Sequence, residues 1–384
     1  MKTERYLVSL FLFVISLLGL AYAPIITVFI CVLYCILLPK SHSKLIIIPI
    51  IINLCLALAI LFSSKNFHGG ATDFETYYHF YQSILQNINR YGVSGAWVGT
   101  YSRFEPLYYI LNIIIGVTFG ALSEIQFSIL MNFICLLFVA ISLIKYSSRF
   151  NIKNILFVII FTLFILKTGS LTLFWRQSLA AACIILAITY QNKLRLVWFA
   201  LSIGFHISSI FVFPISLFCL SQKKPKYYLY FILLVVAIIW PFIGSSILVN
   251  IVNIFGLPSN SFFINDNDYP YFTDSIKTIL YSIPVLFFYY IQRNERTDPI
   301  FFILLFEVFF LISFSSIPHF FRIIYPISTI IIYFQTAYLA LKLNNIFFIT
   351  FFILSLFINF FRLTSSELGY QFPFYSTDVV YYLL

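Results

Sequence analysis

The 384-residue chain reads as an all-α polytopic membrane protein, a bundle of about 11 spans with re-entrant half-helices and outer amphipathic helices. Two observations predict this class. The chain is 61% hydrophobic and only 9% charged, against about 25% charge in soluble domains. Its apolar runs also recur at close to the ~20 residues needed to cross a bilayer. The formal net charge of +10 comes from Lys and Arg spread over the short loops between those runs. That is the pattern of the positive-inside rule. A nucleic-acid groove would gather the same charges on one surface, so nucleic acid is excluded as a partner.

The first region, 1–62, holds apolar runs at 6–22, 24–39 and 44–62. The opening run ends in Ala-Tyr-Ala like a signal peptide, but a second run follows at once, so it is read as a retained span. The polar region 63–123 comes next. The bundle 124–361 is built from runs at 124–145, 154–170, 172–191, 228–245, 276–291, 299–316, 320–340 and 345–361, with the segment 196–220 among them. A polar and aromatic tail, 362–384, closes the chain.

The basic loops 1–5, 40–44, 145–153, 192–195, 223–226 and 292–296, with Lys342, are expected on the cytoplasmic side. They agree with one another under two conditions. The run 106–120, about 14 residues long, must not cross the membrane, which suits its length. The segment 196–220 must enter and return on one side, as two half-helices hinged near 204–208; the alternative is one long tilted span. Under both conditions the region 63–123 and the outer ends of the helices carrying Arg176 and Arg322 share one face.

Within 63–123, Thr72-Asp73-Phe74-Glu75 fits a capping box. Phe74, Tyr77, Tyr78, Tyr81, Leu85 and Ile88 then fall on one face of an amphipathic helix. Asp73 either serves the helix N-terminus or presents an acid to a cavity. Pro106 suits the first turn of the next helix, which places Glu105 at its cap. Arg103 and Glu105 either form a local ion pair worth ~0–1 kcal/mol or belong to a site.

The stretch 171–214 places Arg176 in one apolar run and His206 in the next. A cation at membrane depth costs at least ~2.5–3.5 kcal/mol, so it needs a counter-charge or a polar cavity. Ser178 and Ala180, Ala181 and Ala182 leave room for a neighbouring helix. The guanidinium of Arg176 fits a phosphate bidentately, or pairs with a buried carboxylate such as Glu307. Trp175 and Gln177 flank it; the indole either shields the head group or sits in the interfacial aromatic belt. His206, followed by Ser208 and Ser209, is either a general base or, protonated, a phosphate ligand. Arg322 is a second candidate phosphate clamp, with His319 close by in sequence, and Arg103 is a third.

No metal and no cofactor is expected. The six cysteines all lie in apolar runs without a Cys-x-x-Cys pair and are read as packing residues. The loop 265–270 is polar but lacks the glycine and final glutamate of a calcium loop. Walker A, HExxH, GxSxG and DxD motifs are absent, so nucleotide hydrolysis by the chain is not expected.

The order Asp73 with downstream tyrosines, Glu105-Pro106-Leu-Tyr, Arg176-Gln177 with an Ala-rich helix, Phe205-His206-Ile-Ser-Ser, then Arg322 with Tyr325 resembles the EpsG-like and Wzy-type polysaccharide repeat-unit polymerases of bacterial inner membranes. The resemblance covers roughly residues 60–330. It implies a glycosyltransferase of C-type architecture with its site at the outer face of the inner membrane. Donor and acceptor would be undecaprenyl-diphosphate-linked oligosaccharides, with a separate protein regulating chain length. Arg176, Arg322 and Arg103 would hold the diphosphate, Asp73, Glu105 and His206 would be the catalytic candidates, and Trp175, Gln177, Ser208 and His319 would line the sugar cavity. A flippase of the lipid-linked unit or an O-antigen ligase are the competing classes. The chain shows no repeated halves, as a flippase would, and its 245–275 loop is short for a ligase.

Overall fold

The computed structural model describes residues 10–20, 23–37, 44–63, 73–96, 105–148, 155–165, 174–190 and 192–210, except positions 12 and 208, together with short stretches further on. The described residues are helical, with no strand among them. The helices are α1 (Pro24–Leu37), α2 (Lys44–Ser63), α3 (Asp73–Gly95), α4 (Pro106–Phe119), α5 (Glu124–Ser147), α6 (Ile155–Ile165), α7 (Trp175–Thr189) and α8 (Leu194–Phe205). They lie in one of two units, Met1–Ile207 with Ala340–Leu384. In the other, Ser208–Leu339, the helical residues 330–335 are buried. The expected spans from 228 to 316 and the 265–270 loop fall almost wholly outside the described residues.

The middle of the first unit is α7, which packs on both α5 and α8. Every residue from 178 to 189 is buried. The three consecutive alanines explain how neighbours close on it from all sides, since small side chains let helix backbones approach. Helix α5 has 24 residues, and it is the one described helix long and apolar enough to cross a membrane. At 1.5 Å per residue it reaches about 36 Å, more than the ~30 Å hydrocarbon core. It begins with a capping box: Ser123 Oγ accepts from the Gln126 N–H, and the Ser123 N–H donates to Gln126 Oε1 at 2.9 Å. The Thr72 cap expected for α3 lies outside the described residues, although α3 does start at Asp73.

Two shorter helices carry the site. Helix α4 has Pro106 in its first turn and Glu105 at its N-cap, as expected, and stops at Gly120, whose φ of 69° is left-handed. Its 14 residues reach about 21 Å. Helix α8 has 12 residues and ends where His206 turns extended, φ −155° and ψ 121°. The break therefore falls inside the expected hinge, and α8 is too short to cross a bilayer, at about 18 Å. The return path of the second half-helix lies outside the described residues.

Helix α3 buries Phe74, Tyr77, Tyr81 and Ile84. The first three join Tyr108 of α4, Phe127, Met131 and Cys135 of α5, and Trp175 and Leu179 of α7 in one apolar cluster. On α4 the outward face is also apolar, with Ile110, Ile114, Val117 and Phe119 exposed. An apolar face turned outward is what lipid contact requires.

Candidate anion site at the ends of α4, α7 and α8

Arg176 stands in the first turn of α7. The positive end of a helix is a poor place for a cation, so the surroundings must compensate. They do so through α4 and α3. Arg176 Nη1 forms an ion pair with Glu105 Oε2. Its Nε donates to Tyr77 Oη at 3.3 Å, and its guanidinium carbon lies 5.1 Å from the centre of the Tyr77 ring. The ring of Tyr108 is 6.0 Å away on the same group. The other oxygen of Glu105, Oε1, lies 2.8 Å from His206 Nδ1. One carboxylate thus bridges a guanidinium and an imidazole brought in by two other helices.

The three groups differ in exposure. The side chain of Glu105 is 4% exposed, those of Arg176 and His206 13% and 17%. The carboxylate is at the back, and the guanidinium and the imidazole are at the rim. Burial alone pushes the Glu105 carboxyl upward, but the contact with His206 and the charge of Arg176 outweigh it and hold the group below the usual carboxylate range.

Behind Arg176 lies an aromatic wall. Tyr77 stacks on Trp175 at 5.2 Å, and Trp175 meets Phe74 and Phe127 edge-on at 5.6 Å each. The indole N–H donates to Asn132 Oδ1 at 2.7 Å. Asn132 Nδ2 in turn donates to Ser63 Oγ at 2.9 Å, and Ser128 Oγ donates to the same Ser63 oxygen at 2.9 Å. All four residues are buried. A polar chain from α2 through α5 therefore fixes the indole that backs Tyr77.

Of the sequence candidates, the structure brings Glu105, Arg176 and His206 together. Arg176 is paired with Glu105, and the alternative partner Glu307 lies outside the described residues. Arg103, Ser208, His319 and Arg322 also lie outside them, as does the side chain of Asp73. Trp175 is fully buried and so stands behind the site instead of lining an open cavity. Gln177 is half-buried, and its Oε1 has no hydrogen-bond partner among the described residues. No group of three or more His, Cys, Asp or Glu side chains suited to a metal occurs among the described residues. Cys31, Cys55, Cys135 and Cys183 are buried and free.

Tyr77 and Asn132 were not among the candidates. Tyr77 was visible only as one aromatic on the apolar face of α3. Asn132 carried a usable signal, a polar side chain in mid-helix four residues after Ser128 in an otherwise apolar segment.

No curated protein and no solved structure matches the chain. The family model of the EpsG family matches residues 50–377, well over half of the sequence and the whole of the cluster just described. The chain is accordingly a membrane protein of polysaccharide biosynthesis, and it belongs to the EpsG family.

Proposed function

We propose that this protein is a repeat-unit polymerase of the bacterial inner membrane. It joins undecaprenyl-diphosphate-linked oligosaccharides by glycosyl transfer at the outer face, within a multi-span bundle of C-type glycosyltransferase architecture. The observation that carries the reading is the carboxylate–guanidinium–imidazole cluster against a wall of aromatics, in a chain of the EpsG family.

Transfer from a lipid diphosphate makes three demands. The leaving diphosphate must be stabilised, the acceptor hydroxyl must lose a proton, and both sugars must be held in line. Arg176 meets the first, assisted by Arg322 and Arg103. Its planar fork is suited to phosphate oxygens, and a partly desolvated setting strengthens the attraction. His206 either adds to that clamp or takes the proton; Glu105 and Asp73 are the carboxylates available for the same step. The bond from the anomeric carbon to phosphate oxygen breaks, its electron pair leaves on the diphosphate, and the acceptor oxygen forms the new glycosidic bond. Gln177, Ser208 and His319 supply polar contacts for sugar hydroxyls. A separate regulator sets chain length.

Deletion of the gene tests the reading through the glycan that remains. Loss of a polymerase leaves lipid A–core capped with a single repeat. No cap, with precursor held inside, would instead identify a flippase, and finished polymer left on the carrier lipid a ligase.

A further inference from the structure

Glu105 and Arg176 already neutralise each other before any substrate arrives. One oxygen of Glu105 is paired with Arg176, and the other lies 2.8 Å from His206 Nδ1. Two neighbouring phosphate oxygens would engage the same pair. The order of exposure also matters. The carboxylate is the most deeply buried of the three, and its guanidinium and imidazole partners sit nearer the rim. An incoming anion meets them first.

The backbone provides somewhere else for the carboxylate to go. Glu105 occupies the N-cap of α4, yet its side chain makes no capping hydrogen bond. Carboxylates at that position normally accept from the N–H groups of the first turn and gain from the helix dipole. Pro106 has no N–H, but those of Leu107 and Tyr108 sit in that first turn. Glu105 thus forgoes its local partner for two distant ones.

We propose that Glu105 is an internal stand-in for the substrate's diphosphate: it occupies the Arg176–His206 anion site in the resting protein, and the arriving diphosphate displaces it into reach of the acceptor hydroxyl. The inference rests on the polymerase reading above and adds the order of events. Paired with the Arg176 guanidinium and beside the His206 imidazole, the carboxylate is a weak base. Released beside a diphosphate, it loses their stabilisation and gains a negative neighbour; both changes raise its proton affinity, while the N-terminal end of α4 exerts a weaker pull the other way. Glu105 then takes the acceptor's hydroxyl proton as the acceptor oxygen bonds to the anomeric carbon. The C–O bond to phosphate breaks, and its electron pair departs on the diphosphate held by Arg176. Base activation is thereby made conditional on donor binding.

The test is binding of inorganic pyrophosphate to the full-length protein in detergent, measured by calorimetry. A stand-in competes with the ligand, so Glu105→Gln is expected to bind pyrophosphate about tenfold more tightly than wild type while forming no polymer. Glu105→Asp, whose carboxylate is one methylene shorter, is expected to shift binding in the same direction and serves if the Gln variant does not fold. Unchanged or weaker binding in the variant that folds overturns the stand-in and makes Glu105 a fixed support for Arg176. Arg176→Gln, which removes the charge, separates this from failure of the underlying reading. If pyrophosphate binding is insensitive to Arg176, the anion site itself is wrong. If binding needs Arg176 but is not tightened at Glu105, only the stand-in fails.

Discussion

Gly204 of α8 faces Leu107 of α4 so closely that a Cβ built on the glycine would lie 2.7 Å from Leu107 Cγ and Cδ1. This contact lets the end of α8 carry His206 to Glu105, two residues before Leu107 in sequence. Gly204→Ala would gain up to about 1 kcal/mol in helix propensity and partly hide the clash. Gly204→Val adds more volume at the contact, with an overpacking cost of about 1–3 kcal/mol. The variant is expected to melt earlier and to make shorter or no polymer as His206 is pushed off Glu105. Leu107→Ala in the same chain is expected to restore a large part of both. Loss without rescue would place the fault elsewhere than this contact.

Arg176 is expected to be indispensable, but its alanine variant mixes two effects. Removing the guanidinium leaves Glu105 buried with only the imidazole, and breaking a buried pair costs about 3–5 kcal/mol. Arg176→Lys keeps the charge and loses the fixed fork that reaches both Glu105 and Tyr77. We expect Arg176→Lys to insert into the membrane normally and to lose about 10²–10³-fold in polymerisation rate, the usual penalty for one transition-state donor. Arg176→Met with Glu105→Leu is expected to recover stability relative to Arg176→Ala and to remain inactive. Membrane-fraction yield, thermal unfolding and polymer length together check the set. Normal long chains from Arg176→Lys would refute the assignment.

Much of this site could be read before its geometry was known. Arg176 and His206 stood out because cations in apolar runs demand an explanation, and Pro106 marked Glu105 as a cap. The end of α8 after Phe205 was also legible from the Gly-Phe-His-Ile-Ser-Ser stretch. What could not be read was which acid meets which base. Glu105 and Arg176 lie 71 positions apart on different helices, and nothing local encodes that pairing. Tyr77 was hidden for a different reason: among 27 tyrosines and 48 phenylalanines, one more aromatic on an apolar face carries no special mark. Trp175 was visible but its direction was not, since packing against Tyr77, Phe74 and Phe127 decides that it faces inward.

The Glu105 cluster also predicts a pH dependence with a definite sign. Burial would raise this carboxyl, but His206 and Arg176 hold it below its ordinary range. A group whose folded value is lowered contributes stability that is fully present above its unfolded value, about 4.3 for Glu, and lost as pH falls through the folded one. Wild type is therefore expected to unfold at higher temperature than Glu105→Gln at about pH 5, where the carboxylate is ionised in both the folded and the unfolded chain. Below about pH 4.3 that margin is expected to shrink as the carboxylate takes up a proton. Thermal unfolding of both proteins in detergent between about pH 3 and 7 measures it. A margin that grows as the pH falls below about 4.3 would mean that Glu105 is not held ionised by its neighbours.

The polar chain behind the wall should act on the site without touching it. Trp175 donates to Asn132, and the indole so fixed stacks on the tyrosine that accepts from Arg176. Asn132→Leu leaves the buried indole N–H and Ser63 short of partners, at about 1–3 kcal/mol. Trp175→Phe leaves Asn132 Oδ1 unpaired at a similar cost. When both partners become apolar, no orphan remains on that bond, so the double variant is expected to be more stable than the sum of the two single losses, by about 0.5–3 kcal/mol. Polymerisation is expected to behave differently. With the indole gone or free to turn, Tyr77 loses its backing and Arg176 its orientation, so the double variant regains stability without regaining rate. Additive stability losses would show that the bond does not couple the two residues, and full activity in the double variant would show that the wall does not orient Arg176.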